Sequence, residues 1–328
     1  MQSWDKNEFA KRKSNLETRA EIIKKTRAWF DGGGFTEVQT PILQRMGAPD
    51  THIKPFQTDG LELHTSPEIA MKKLLVAGME RIYQITPVFR REIEGRLHRE
   101  EFTMLEWYRT GRDYAAMMDD CESLIQSLGL FTDAPFERLT VAEAFERYTN
   151  LSSCDSGCPW GMIAGSQADQ TEPVVKPQGD VFRSKAKAMG IRTIPSDSFE
   201  DIFHAIMDEK IEPHLGQGRP TILYDYPASM ASLAKKRGDV AERFELYING
   251  IEIANAFTEL TDPVEQRARL QEDLAQKKAL YGIQTPLDED FIAALKHGMP
   301  ESTGCALGLD RLIMIVTGAD HIKDVQWI

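Results

Sequence analysis

The chain has 328 residues, a net charge of −12, and is 41% hydrophobic and 27% charged, which is ordinary for a globular protein with ample apolar material for a core. An acidic total argues against tracking along nucleic acid, whose phosphates demand a basic footprint, and suits a cationic substrate. The N-terminus has no apolar h-region, so no signal peptide is expected. No stretch reaches the roughly 18 to 20 apolar residues of a membrane span. Four cysteines do not build a disulfide framework, and a cytoplasmic location is expected.

Helical spacing of Leu16, Ala20, Ile23 and Phe30 predicts a helix over 16–31, stopped by Gly32-Gly33-Gly34. Residues 35–40 read as a short strand ending before Pro41. Ser66 is a candidate N-cap with Pro67 at the first helical position; Met71, Leu74 and Leu75 form the stripe of that helix, and Gly78 ends it. Residues 81–90 and 102–108 read as strands, and alternation places Phe102, Met104, Glu106 and Tyr108 on one face. Residues 114–128 form an amphipathic helix. The Gly-, Pro- and Ser-rich stretch 150–198 reads as a loop or variable insert, not a second domain. Cys154 and Cys158 have the spacing of half a metal site, but no second Cys/His pair follows, so structural zinc is not expected. Helical pattern returns over 199–215, and 221–226 reads as a strand. Residues 244–254 form a hairpin with Asn249-Gly250 at its tip, since a type I′ turn needs positive φ twice. A polar helix follows over 263–281. The last helix carries Leu309, Leu312, Ile313 and Val316 on one face and ends at Gly318.

Three constellations carry chemistry. In the hairpin, Glu245 and Glu252 are diagonal neighbours on one face, roughly 7 to 8 Å apart at the backbone. That pair either shares a Mg²⁺ that also binds phosphate or stays as two solvated charges. Residues 89–108, FRREIEGRLHREEFTMLEWY, set Arg90, Arg91, Arg96, His98 and Arg99 between two strands. This is either a polyphosphate cradle or a solvated basic loop. GCALGLDRLIMI, residues 304–315, leads glycines into a helix whose first turn carries Arg311, which is either an anion site or a tight turn with a surface ion pair.

In this order the three resemble the signatures of class II aminoacyl-tRNA synthetases, together with LETRAEIIKKTRAWFDGGGFTEVQTPIL (16–43) as the first signature, ending at Pro41. TSPEIAMKKLLVAG, FTMLEWY, ERFELYINGIEIANAFTEL and ALGLDRL are similar to the lysyl-tRNA synthetase branch. Those enzymes carry an N-terminal anticodon-reading domain, for which no room is expected here. That absence, with HIKPF, YPASMASLA, VAERFELY and GMPESTGCALGLDRL, resembles the elongation factor P–(R)-β-lysine ligase family, the stand-alone paralogue of that branch.

The resemblance implies an α/β (α+β type) class II catalytic fold: one domain over 1–328 with a mainly antiparallel sheet of six to seven strands flanked by helices. It implies a homodimer built on the first signature. Arg90 and Arg311 would be the catalytic cations, Arg90 on the α-phosphate and the substrate carboxylate, Arg311 on the γ-phosphate. Phe102 and Arg311 would sandwich adenine. Glu92 would take the adenine amino group or orient the loop, and His98 the pyrophosphate end. Arg91, Arg99, Glu252, Ile253 and Gly308 complete the implied ATP site. Ser66, Pro67, Glu68, Glu106, Tyr108, Asn255 and Glu259 would line the amino-acid pocket. Glu259 would meet the distal ammonium, and Glu68 and Glu106 the other amino group. Ala306 stands where lysyl-tRNA synthetases have Gly, which narrows the pocket toward β-lysine. Glu245 and Glu252 would hold Mg²⁺. Arg99, Arg91 and Ala256 depart from the family pattern. For Glu252 and Asn255 both to face the site, a bulge is expected near 254–256.

The implied reaction is ATP-dependent activation of (R)-β-lysine, or lysine, followed by transfer to a lysine of elongation factor P; tRNA is not expected as the acceptor. Two other readings stay open at this point. One is a minimal ligase acting on tRNA or another amine. The other is a non-catalytic sensor of amino acid or nucleotide, against which Arg90, Glu245, Glu252 and Arg311 argue.

Overall fold

Asp5 caps the first helix, its carboxylate accepting from the backbone N–H groups of Asn7 and Glu8. Helix α1 (Lys6–Gly32) therefore starts well ahead of Leu16, the first apolar position of the periodic pattern. The structure is a computed structural model that describes residues 4–47, 49–151 and 178–327. Cys154 and Cys158 lie outside the described residues, as does the part of the 150–198 stretch from 152 to 177.

From α1 the chain continues through β1 (Thr36–Glu37), β2 (Leu43–Gln44), β3 (Phe56–Thr58), β4 (Leu61–Leu63), α2 (Glu68–Val76), β5 (Arg81–Phe89), β6 (Glu101–Thr110) and α3 (Tyr114–Ser127). Next come β7 (Glu137–Thr140), α4 (Val141–Thr149), α5 (Gln178–Ala188), α6 (Phe199–Ile206), β8 (Thr221–Pro227), β9 (Lys236–Arg237) and β10 (Val240–Ile248). The chain closes with β11 (Ile251–Thr258), α7 (Pro263–Tyr281), α8 (Glu289–Gly298), β12 (Ser302–Gly308) and α9 (Leu309–Thr317). The later part of the stretch expected to be loop thus carries a helix, α5.

The chain folds as two compact units, Met1–Asp133 with Ile253–Ile328, and Ala134–Glu252. The first unit lines up β1-β5-β6-β12-β11, antiparallel except for the parallel β1/β5 pair, beside a small β2-β4-β3 sheet. Its core includes Phe30, which stacks on Tyr83 at 4.2 Å between ring centres and meets the edge of Trp107 at 5.7 Å. The buried face of α1 is Leu16, Arg19, Ile22, Thr26 and Phe30. Leu16 and Phe30 of the expected stripe are inside, but Ala20 is exposed and Arg19 is buried.

In the second unit β10 pairs antiparallel with β8 and β9, and β8 runs parallel to β7. Its core gathers Phe145, Phe182, Phe203, Leu223, Tyr226 and Tyr247. Helices α4 and α6 each open with a reciprocal capping box, Thr140 with Glu143 and Ser198 with Asp201. The α/β class expected from the sequence holds. Among the described residues the main strands number five in the first unit and four in the second, more than the six or seven expected, with parallel pairs among antiparallel ones.

Asn249 and Gly250 take φ values of 52° and 72°, as a type I′ turn between β10 and β11 requires. The bulge expected near 254–256 is not present in the pairing of β11 with β12, which runs without a register shift from Ala254 to Thr258. An irregularity lies instead between Ala241 and Phe244, where β10 pairs with β8. Among the described residues no helix is long and apolar enough to cross a membrane.

Candidate active site

In the first unit the strand register arranges side chains in rows. Glu106, Ala306 and Asn255 lie opposite one another across β6, β12 and β11, and Gln84 extends the row into β5. Two residues along, Tyr108, Gly304 and Phe257 form the next row. Successive side chains alternate faces, so both rows share one. Glu259 continues the alternation beyond Phe257, its backbone N–H donating to Ser302 O at 2.9 Å. Helix α2 covers this face, with Lys72 Nζ 5.1 Å from the centre of the Phe257 ring.

Between helix and sheet sits a buried polar network. Ser66 Oγ donates to Glu106 Oε2 at 2.6 Å and accepts from the Glu68 backbone N–H at 3.0 Å. That bond does the work expected of an N-cap, although α2 begins one residue later than predicted, with Pro67 as the residue before its first turn. The Tyr108 hydroxyl donates to the other oxygen of Glu106 at 2.6 Å. Lys72 Nζ lies 2.5 Å from Glu68 Oε1 and 2.5 Å from Glu259 Oε2. Ser66, Lys72, Glu106, Tyr108 and Glu259 are all buried. Glu259 Oε1 has no hydrogen-bond partner among the described residues.

Three carboxylates around one ammonium are costly without a further cation. Burial, and then the Glu68 charge, push the Glu106 carboxyl up to about 7, against the pull of Ser66 and Tyr108. Burial also raises Glu259, with the Lys72 charge opposing it. For Lys72 burial works against the charge, but Glu259 and Glu68 outweigh it and raise its pKa, so the ammonium stays charged.

The arginine cluster lies in the same unit. Arg90 directly follows β5, with Nε donating to Thr65 O at 3.2 Å and the guanidinium 5.2 Å from the centre of the Phe102 ring. Arg311, in the first turn of α9, donates from Nη2 to His98 Nε2 at 2.8 Å, and its Nε reaches Leu97 O at 3.5 Å. His98 is thereby drawn as an acceptor. Burial, then the charges of Arg311 and Arg90, lower its pKa despite Glu92, whose Oε2 is 4.0 Å away. One imidazole therefore feels both arginines. Gly308 adjoins Arg311: a side chain there would meet Arg311 Cδ at 3.7 Å and Ile253 O at 3.8 Å.

Arg91 and Arg99 have partners of their own. Arg91 stands over Phe56 at 5.8 Å, and Arg99 pairs with Glu94 at 3.0 Å. Asp310, next to Arg311, is buried. It accepts from Arg19 Nη1 at 2.5 Å, from the Thr103 backbone N–H at 3.1 Å and from Gln326 at 2.9 Å. The surface ion pair considered for this turn is thus a buried one that ties α1 and β6 to the start of α9.

In the second unit the Glu245 carboxylate receives the hydroxyls of Tyr226 and Tyr247, each at 2.6 Å, and the Arg243 guanidinium at 2.5 Å. Tyr247 also donates to Glu212 at 3.2 Å. Burial, then Asp208, Glu245 and Glu252, push the Glu212 carboxyl up to about 8. Glu245 and Glu252 therefore belong to one crowded acidic group. Hard carboxylate oxygens with excess negative charge are a donor set that fits Mg²⁺ carrying phosphate ligands. Among the described residues no three His, Cys, Asp or Glu side chains are arranged to hold a metal on their own, and a metal held by two carboxylates plus phosphates needs no third.

Residues that sequence reasoning did not assign are Lys72, Gln84, Gly304 as a packing requirement, Arg19, Asp208, Glu212 and Arg243. Lys72 left one signal, its i,i+4 spacing from Glu68. A side chain at Gly304 would lie 2.3 Å from Tyr108 Cε1 and 2.6 Å from Glu259 Oε1.

The sequence profile of the tRNA synthetases class II (D, K and N) matches residues 5–327. The elongation factor P–(R)-β-lysine ligase of Edwardsiella ictaluri (strain 93-146) is 39% identical over 329 residues, covering 95% of this chain and 94% of that protein. The proteins of the same name from Vibrio cholerae (serotype O1, strain El Tor Inaba N16961) and Hamiltonella defensa are 38% and 37% identical, with the same coverage.

Proposed function

The chain belongs to the class II tRNA synthetases (D, K and N) and, within them, to the elongation factor P–(R)-β-lysine ligase family, and from that premise we propose that it activates (R)-β-lysine with ATP and transfers it to a lysine of elongation factor P. The observation that carries the amino-acid half is Glu259 Oε1, a buried carboxylate oxygen without a hydrogen-bond partner among the described residues, beside Glu68 and Glu106. A buried anionic oxygen is expensive unless it is paired, and an ammonium supplies the pairing.

The substrate carboxylate attacks the ATP α-phosphorus and pyrophosphate leaves. Arg90 stabilises the charge that develops there, and Arg311, held by His98, takes the γ-phosphate end. Neutral His98 adds no further positive charge and keeps Arg311 oriented. Ser66 and Tyr108 fix Glu106, and Ala306, in its row, limits the depth beside it. Glu245 and Glu252 would hold Mg²⁺, which supplies charge neutralisation on phosphate oxygens. The ε-amino group of the acceptor then attacks the acyl carbon, AMP leaves, and the amine loses its proton. No protein nucleophile takes part, so the rate comes from positioning and fixed charge. The first signature, residues 16–43, supports pairing as a homodimer, and the cysteine usage supports a cytoplasmic setting.

ATP–pyrophosphate exchange tests the first step and mass gain on elongation factor P the second. Exchange is expected with (R)-β-lysine. Its absence with both lysine isomers refutes the enzyme reading, and exchange without mass gain on elongation factor P refutes the acceptor.

A further inference from the structure

Lys72 is buried, lies within ion-pair distance of two carboxylates and belongs to no part of the reaction derived above. It projects from α2 over Phe257, into the same network as Ser66, Glu68, Glu106, Tyr108 and Glu259. It occupies one oxygen of Glu259, Oε2, and leaves Oε1 without a hydrogen-bond partner among the described residues. Gly304 keeps the space beside that oxygen clear, since any Cβ would stand 2.6 Å from it.

We propose that Lys72 is the positioning and specificity-determining residue of the amino-acid pocket: it holds Glu68 and Glu259 in place and neutralises one of three carboxylates, so that the remaining charge matches a substrate with two ammonium groups. This rests on the reading of the pocket as the amino-acid site. Once the substrate's cations hold Glu68, Glu106 and Glu259 in their ionised form, with Lys72 protonated, two negative charges remain, one for each ammonium of a diamino acid. An amino acid with one ammonium would leave a buried carboxylate unpaired, a strong penalty. Holding a carboxylate by one oxygen also removes its rotamer freedom before the substrate arrives.

The test follows from charge. The groups that face Lys72 are Glu68 on its own helix, Glu106 and Tyr108 from β6, and Glu259 after β11. The Lys72 charge favours the ionised form of Glu106 and Glu259, so its removal moves the protonation of those two to higher pH. Lys72→Met is therefore expected to raise KM for (R)-β-lysine by about tenfold or more in pyrophosphate exchange, while KM for ATP stays at the wild-type value. The acidic limb of kcat/KM for (R)-β-lysine is expected to move upward by about one pH unit. Lys72→Arg keeps the charge on a longer, planar group. It should leave that limb at the wild-type pH while KM for (R)-β-lysine rises, and it carries the test if the Met variant does not fold. An unmoved limb in Lys72→Met, or a rise of both KM values together, overturns the proposal. So does a limb in Lys72→Arg that shifts upward, since the charge would then not be what matters. Exchange by the wild type with neither lysine isomer removes the amino-acid site itself and is recognisable as that separate failure.

Discussion

Gly304 offers the sharpest geometric test of the pocket, because the smallest substitution collides with two of its members at once. In Gly304→Ala the added methyl would stand 2.3 Å from Tyr108 Cε1, 2.6 Å from Tyr108 Cδ1 and 2.6 Å from Glu259 Oε1. Contacts that short force movement. Tyr108 is buried within a central strand, paired on one side with Ile82 and on the other with Gly304 itself. Its ring must tilt, and its hydroxyl then leaves Glu106, to which it donates at 2.6 Å. Overpacking of this kind costs about 1–3 kcal/mol. If the cost falls on the substrate complex it corresponds to roughly 5- to 150-fold in KM for the amino acid. The three atoms nearest that methyl belong to Tyr108 and Glu259, not to Arg90, His98 or Arg311, so KM for ATP serves as the internal control. Pyrophosphate exchange with each substrate varied in turn reads both values. An unchanged KM for the amino acid, with the protein folded, would show that Tyr108 and Glu259 do not contact the substrate.

Two further perturbations address the frame around the site. Asp310→Asn leaves the buried Arg19 guanidinium without its carboxylate and should destabilise the fold by about 3–5 kcal/mol. Urea unfolding measures this, and an unchanged midpoint would refute the clamp between α1 and α9. Because Asp310 precedes Arg311, KM for ATP should rise more than KM for the amino acid. Asp273, on α7, accepts from Thr51 at 3.3 Å, and burial, then Asp50, raise its carboxyl from 3.8 to about 7. The folded state therefore binds more protons than the unfolded one between about pH 4 and pH 7, so this group's stabilisation is full below that window and is lost as pH rises through it. Asp273→Asn should flatten that part of the curve of urea midpoint against pH. A slope equal to wild type would refute the assignment.

The elements legible in the sequence were those with long period and clear punctuation. Helix α7 begins at Pro263 after Asp262 and ends at Gly282, and α9 ends at Gly318; both glycines take positive φ. The Asn249-Gly250 turn was legible because only a few residues tolerate two consecutive positive φ angles. Strands of two or three residues, such as β2, β3 and β4, are too short for any alternation to register. Helix α4 was missed although Thr140 and Glu143 spell a capping box. The bulge expected in β11 was inferred by requiring Glu252 and Asn255 to share a face; the pairing of 254–258 with β12 is regular, so that stretch does not supply the change of face.

The two helices whose buried faces were misread went wrong in the same way, and the error has a physical cause. In α1 the pattern placed Leu16 and Phe30 correctly but chose Ala20 and Ile23 where the buried face runs through Arg19 and Ile22. In α2 it placed Met71 and Leu75 correctly but chose Leu74 where the buried face takes Lys72 and Ile69. Apolar periodicity assigns every charge to solvent, so a helix that carries one inward cation is read without it, and a neighbouring apolar residue takes its place in the stripe. Lys72 and Lys73 are neighbours in sequence with opposite fates: Lys73 turns out to Asp288 and Asp290, at 2.7 and 2.8 Å, while Lys72 enters the pocket. The inward cation is affordable only where carboxylates wait for it, Asp310 for Arg19 and Glu68 with Glu259 for Lys72. A charge three residues from a buried apolar position of such a helix, as Arg19 is from Leu16 and Lys72 from Leu75, is therefore a candidate sequence-level marker of a buried ion pair. In this chain both such markers border the proposed chemistry.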